Sequence, residues 1–223
     1  MNLISNIFQK GIDFVSDTAK TLHDKAPESP KMAWHYFGLD NDPYEYPVEK
    51  LRETVTIRNA EKINQDRLLD ALSKPGKLRK KVFQSLVTTE YQDGRYSLDD
   101  MKDGELFGLD DYTDADRRSQ EVFHNGDYDT FWGLGSFKMR TRGNNLQFKK
   151  TSRGILPYGY ADHEISDSYD FDGPQNSKYS ILKNAEDLGL AERYPVKARW
   201  RTRPFGIINI KDSKIDKSNI TWE

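Results

Sequence analysis

The chain has no cysteine, which excludes disulfides, thiolate-ligated zinc and thiol nucleophiles. That suits a protein made in a reducing cell, and equally one that works outside it without redox chemistry. No apolar run approaches the ~20 residues that a bilayer-spanning helix needs, so no transmembrane segment is expected. No secretory signal is expected either: the first residues are amphipathic and lack both a continuous apolar core and a small-residue cleavage site. Gly-rich phosphate loops, G-x-S-x-G elbows and H-E-x-x-H pairs are missing. Large apolar side chains are scarce: Leu, Ile, Val and Phe supply only 49 of 223 residues, close to where chains stay unfolded.

Aromatics offset that scarcity. Twelve Tyr, eleven Phe and four Trp each bury a large area, so a modest aromatic core is within reach. The expectation is a packed part and a loosely packed part. The formal net charge of −2 predicts no general nucleic-acid affinity. The charge is uneven, however. Residues 1–89 hold 14 basic and 12 acidic side chains, 90–130 hold 4 and 13, and 131–223 hold 16 and 11. The acidic, Asp-, Gly- and Tyr-rich stretch over 90–126 therefore reads as a linker.

Helical periodicity is clearest at the front. Ile4, Ile7, Phe8, Gly11, Ile12, Val15, Ala19 and Leu22 form an apolar stripe, and Pro27 and Pro30 stop it. This predicts an amphipathic helix over 1–25. The mixed charge of its polar face favours packing on its own domain or docking on a protein partner over a membrane surface. Residues 31–46 are rich in rings and turn formers and read as irregular. Residues 47–72 read as helical, and 78–87 as a second, basic helix, so 26–89 forms an aromatic-rich and helical segment.

From residue 127 the period falls to two. Strands are expected over 131–142, 155–160, 161–171, 196–203 and 207–210, with Gly143-Asn-Asn145 as a turn and 180–190 as a short helix ended by Gly189. The fold class that follows is α+β: a helical N-terminal part, then a predominantly antiparallel β domain over 127–223.

Within that β region the order of pieces resembles the activity domain of colicin M-like bacteriocins, over roughly residues 127–211. The matching pieces begin with Leu134-Gly135-Ser136-Phe137 opening a strand and Asn144–Lys149 as its hairpin partner. Next come Ile165-Ser-Asp167-Ser-Tyr169-Asp170-Phe171, the helix 181–190, Arg193–Val196 and Phe205–Ile210. The family's signature is Asp-x-Tyr-Asp followed, five residues on, by His-Arg. Asp167, Tyr169 and Asp170 match its first half, whereas Asn176 and Ser177 stand where His and Arg would.

The resemblance implies a half-barrel-like domain and a magnesium-dependent phosphodiesterase that cuts the pyrophosphate linkage of lipid II. It implies Asp167 and Asp170 as Mg2+ ligands, since carboxylates suit a hard cation beside a pyrophosphate, and Asp167, Tyr169 and Asp170 as catalytic. His163, four residues before Asp167 on the same inferred strand, is the candidate replacement for the missing acid/base. The strand 196–203 puts Lys197, Arg199, Arg201 and Arg203 on one face. Arg199, Arg201 and Arg203 are candidate phosphate binders; the bland alternative is a solvated face over a Trp-containing core.

Two functions follow. One is an antibacterial effector acting in the bacterial periplasm on lipid II or another phosphate-bearing cell-envelope precursor. The other is a non-catalytic structural or interaction protein, such as a phage virion component, that docks through its N-terminal helix. Elsewhere, Asp99-x-Met101-x-Asp103-Gly104 only partly fits an EF-hand loop and reads as an acidic turn. None of the four His stands at zinc-ligand spacing.

Overall fold

Pro30 stands in the first turn of a helix, where a missing N–H costs nothing. The computed structural model describes residues 9–10, 13, 29–38, 42–74, 77–84, 88–109, 115–119, 134, 137–169, 180–211 and 214–223. The helix expected over 1–25 lies outside these, apart from Gln9, Lys10 and Asp13. Helix α1 (Ser29–Phe37) corrects the irregular reading of 31–46. Its Met32 and Tyr36, four residues apart, are fully buried, so tertiary burial outweighs the ring-rich composition.

Helices α2 (Val48–Glu53) and α3 (Val55–Asp70) fulfil the helical expectation over 47–72. Thr54 separates them: its backbone is extended, and its hydroxyl donates to the Leu51 carbonyl at 2.8 Å. A single 3-10 turn, Ala71–Ser73, follows α3.

The second expected helix, over 78–87, is a strand. Strand β2 (Leu78–Gln84) pairs antiparallel with β3 (Thr88–Tyr96) on one side and β4 (Leu106–Leu109) on the other. Pairing along both edges overrides a composition that suits a helix. The stretch 90–126, expected as a linker, thus carries most of β3, all of β4 and also β5 (Ala115–Ser119). Phe107 of β4 is fully buried, which ties that stretch to a core.

Strands β6 (Phe137–Thr151) and β7 (Gly154–Tyr169) form one long hairpin. The turn expected at Gly143–Asn145 is instead an irregularity inside β6. Before it residues 137, 139 and 141 point inward, and after it residues 146 and 148 do. One extra residue shifts the alternation, as a bulge does. Asn145 takes a left-handed backbone (φ 49°), and Gly159 (φ 96°) sits against it; a Cβ there would strike the Asn145 carbonyl. The two strands expected over 155–160 and 161–171 are both contained in β7 as far as Tyr169.

The helix expected over 180–190 is α4 (Ser180–Asp187). Gly189, at φ 69°, ends it, and Leu190 N–H donates to the Ala185 carbonyl at 2.8 Å. Strand β8 (Tyr194–Thr202) alternates as expected, with residues 194, 196, 198 and 202 buried. Short strands β9 (Pro204–Phe205), β10 (Asn209–Lys211), β11 (Lys214–Asp216) and β12 (Thr221–Trp222) complete the chain, β10 with β11 and β12 with β9. The described residues thus form a few helices and a mostly antiparallel sheet.

The chain divides into two units. The first comprises residues 1–59, 118–138 and 165–198. There β1 (Tyr44–Glu45) runs parallel to β8, with Tyr44 opposite Val196. Tyr194 is its anchor: its hydroxyl donates to the Met32 carbonyl at 2.6 Å, and its ring meets His35 edge-on at 4.3 Å. The second comprises residues 60–117, 139–164 and 199–223, with strands in the order β8-β7-β6-β4-β2-β3. Its core joins Leu68, Leu69 and Leu72 of α3 and its following turn to Phe107, Phe148, Ile155 and Ile208.

Candidate functional site

The site lies in the second unit, where β6, β7 and β8 run side by side with β7 in the middle. Alternation along each strand sends one set of side chains inward and the other outward.

The inward set is polar where it meets α3. His163 is 1% exposed. Its Nδ1 lies 2.8 Å from the Thr141 hydroxyl of β6, and its Nε2 lies 2.8 Å from the Thr202 hydroxyl of β8. Asn64 Nδ2 donates to Thr141 at 3.2 Å, and Gln65 Nε2 donates to Thr202 at 3.2 Å. Gln65 also donates to Glu61 at 3.0 Å, and Trp200 Nε1 donates to the other Glu61 oxygen at 3.1 Å. The Trp200 ring stacks on His163 at 5.2 Å. Each threonine oxygen already accepts an amide proton and still can donate once or accept again. Either neutral tautomer of His163 is therefore satisfied, with one threonine donating and the other accepting. Both ring nitrogens are engaged within the protein.

The outward set is charged. β6 carries Arg140 and Arg142, β7 carries Asp162 and Glu164, and β8 carries Arg199 and Arg201. With His163 and Trp200 they line a cleft of about 470 Å3. Arg201 Nε donates to Asp162 Oδ1 at 2.6 Å and Nη2 to Oδ2 at 3.3 Å, and Arg199 donates to Glu164 at 3.2 Å. Asn144 donates to Asp162 at 2.6 Å. Burial by itself pushes the Asp162 carboxyl up; the hydrogen bonds from Arg201 and Asn144, with the Arg201 charge, outweigh it and hold the group below the ordinary carboxylate range. The side chains of Arg199 and Arg201 stay 68% and 52% exposed, so both remain open to solvent.

Of the residues singled out from sequence, His163, Arg199, Arg201 and Arg203 fall in this unit. His163 faces the polar network, and Arg199 and Arg201 face the cleft. Arg203 lies over the Phe205 ring at 5.1 Å, and its backbone bonds Glu223 in both directions, at 2.7 and 3.0 Å. Asp167, half-buried in β7, and Tyr169, which ends that strand, fall in the first unit. Asp170, Asn176 and Ser177 lie outside the described residues. Among the described residues no three His, Asp or Glu side chains gather as a metal-binding group, and no helix is long and apolar enough to cross a membrane.

Sequence reasoning missed Arg140, Arg142, Asp162 and Glu164. The signal was present: Lys138, Arg140 and Arg142 alternate with Phe137, Met139 and Thr141, as the arginines of β8 alternate with their inward neighbours. It also missed Glu61, Asn64 and Gln65, whose partners lie 75 or more residues away in Met139, Thr141, Trp200 and Thr202. No family model, curated protein or solved structure matches this chain.

Proposed function

We propose that the chain is a non-catalytic interaction protein that holds a phosphate-bearing partner on the outward face of β6, β7 and β8. The cleft carries this reading: four arginines line it beside two carboxylates, and Arg199 and Arg201 are 68% and 52% exposed. Guanidinium forks match the oxygens of a phosphoryl or pyrophosphate group. Exposed ion pairs contribute only about 0–1 kcal/mol, so an incoming anion can take Arg199 and Arg201 from Glu164 and Asp162 at small cost. Both ring nitrogens of His163 are taken by threonine hydroxyls, which argues against proton transfer in the cleft. Asn176 and Ser177, in place of a His and an Arg, argue the same way.

A virion component suits this reading, with the 1–25 helix docking on a protein partner. Calorimetric titration with inorganic pyrophosphate tests it. Binding is expected, weakened at least tenfold by Arg199→Gln with Arg201→Gln. The absence of binding to the unaltered protein rejects it.

A second reading keeps the chemistry of colicin M-like lipid II phosphodiesterases, with a half-barrel-like C-terminal domain over 127–223 and action in the periplasm. Asp167, half-buried in β7 two residues before Tyr169, favours it. Asp167 and Asp170 would then hold Mg2+, Tyr169 would stand beside them, and a group other than His163 would carry the proton. Cleavage of lipid II with magnesium, lost in Asp170→Ala, is its signature. Uncut lipid II removes it.

A further inference from the structure

The outward face of β7 carries rings as well as charge. Tyr158 and Tyr160 are both 40% exposed, and they precede Asp162 and Glu164 on the same side of the strand. Arg201 lies 5.0 Å over the Tyr160 ring, and Arg203 lies 5.1 Å over Phe205, itself 37% exposed. The middle strand thus presents two aromatic faces followed by two carboxylates. On its flanks, β6 presents Arg140 and Arg142, and β8 presents Arg199 and Arg201, with Arg203 just beyond its end.

We infer that the phosphate-bearing partner is a single-stranded nucleic acid, laid along β7 with bases on Tyr158 and Tyr160 and phosphates against the arginines of β6 and β8. This rests on the anion-binding reading above and deepens it. Two residues along a strand span about 6.6 Å, so the two rings offer separate stacking surfaces to neighbouring bases. Stacking is tolerant of sequence because every base has a π-face. Asp162 and Glu164, further along the same row, are acceptors that suit the exocyclic amines of bases. Neighbouring strands lie about 4.8 Å away on each side, so the arginines border a track one strand wide.

The overall charge of −2 is no obstacle, because the basic residues are concentrated. Segments 139–164 and 199–223, which contain most of β6 and β7 and the last four residues of β8, hold eleven Lys and Arg against five Asp and Glu. The acidic excess sits in 90–130. Affinity for a strand laid on this face depends on the local potential more than on net charge.

Fluorescence anisotropy of a labelled single-stranded oligonucleotide of mixed sequence with the full chain tests this inference, alongside the same oligonucleotide paired as a duplex. Binding is expected, stronger for the single strand and weakening steadily as salt rises. Tyr158→Ala and Tyr160→Ala should each cost about tenfold or more in oligonucleotide affinity, while calorimetric binding of pyrophosphate stays unchanged in Tyr158→Ala. Both rings are exposed, so neither variant threatens folding. If pyrophosphate binds but the oligonucleotide does not, or if the tyrosine variants bind it as the unaltered chain does, this inference is overturned and the anion reading stands. If neither ligand binds, both are overturned.

Discussion

His163 shows how much the setting of a residue decides. From sequence it is the one titratable group able to move protons beside Asp167. In the folded chain, threonine hydroxyls from β6 and β8 take both ring nitrogens, and Trp200 covers one ring face. Those partners were illegible because they stand 22 and 39 residues away from it. Thr202→Val leaves one ring nitrogen and the Gln65 amide short of a partner, and a stranded buried polar group costs about 1–3 kcal/mol. Urea denaturation should show a loss of that size, and an unchanged midpoint would contradict the network. Asp162 gives a pH dependence. Its folded pKa lies below the ordinary carboxylate range, so its stabilisation is present above the unfolded-state pKa and is lost as pH falls through the lower folded value. Asp162→Asn should therefore lower stability at neutral pH and cease to differ from the unaltered chain in strong acid. A difference that persists or grows in acid would refute the Arg201–Asp162 pairing as its source.

Elements with one clean period were legible. The alternation of β8 and the glycine-ended α4 emerge as expected, as does the helical run over 47–72, broken only at Thr54. Elements settled by distant partners were not. β2 is a strand because β3 and β4 flank it, although Lys77, Arg79 and Lys81 already alternate. α1 forms in a ring-rich stretch because Met32 and Tyr36 find burial. The β6 irregularity looks like a hairpin turn because Gly143-Asn-Asn145 is a turn sequence in isolation. The true turn is marked by the Thr151 hydroxyl, which donates to the Gly154 carbonyl at 2.8 Å. Gly159→Ala tests that geometry. A Cβ strikes the Asn145 carbonyl, and the positive φ adds strain of about 1–3 kcal/mol, so thermal stability should drop clearly. An unshifted melting temperature would mean that β6 and β7 are not apposed there.

For the molecule as a whole, the shortage of aliphatic side chains is met by rings. Phe107 and Phe148 are fully buried in the core of the second unit, beside three leucines of α3 and its following turn. Phe148→Ala should cost about 3–5 kcal/mol in chemical denaturation, whereas a loss below ~1 kcal/mol would deny that core its aromatic centre. The strands are fixed by buried residues on one side, which frees the other side of β6 and β8 to carry arginines and that of β7 to carry carboxylates. That division makes the molecule's central claim one of binding without turnover. Phosphorus NMR of a soluble short-chain lipid II analogue, mixed with the protein and magnesium, addresses both halves at once. Broadening of the pyrophosphate resonances with no new phosphorus signal is the expected result. A new phosphomonoester or pyrophosphate product signal would contradict it by revealing catalysis, and unperturbed lines would contradict it by revealing no binding.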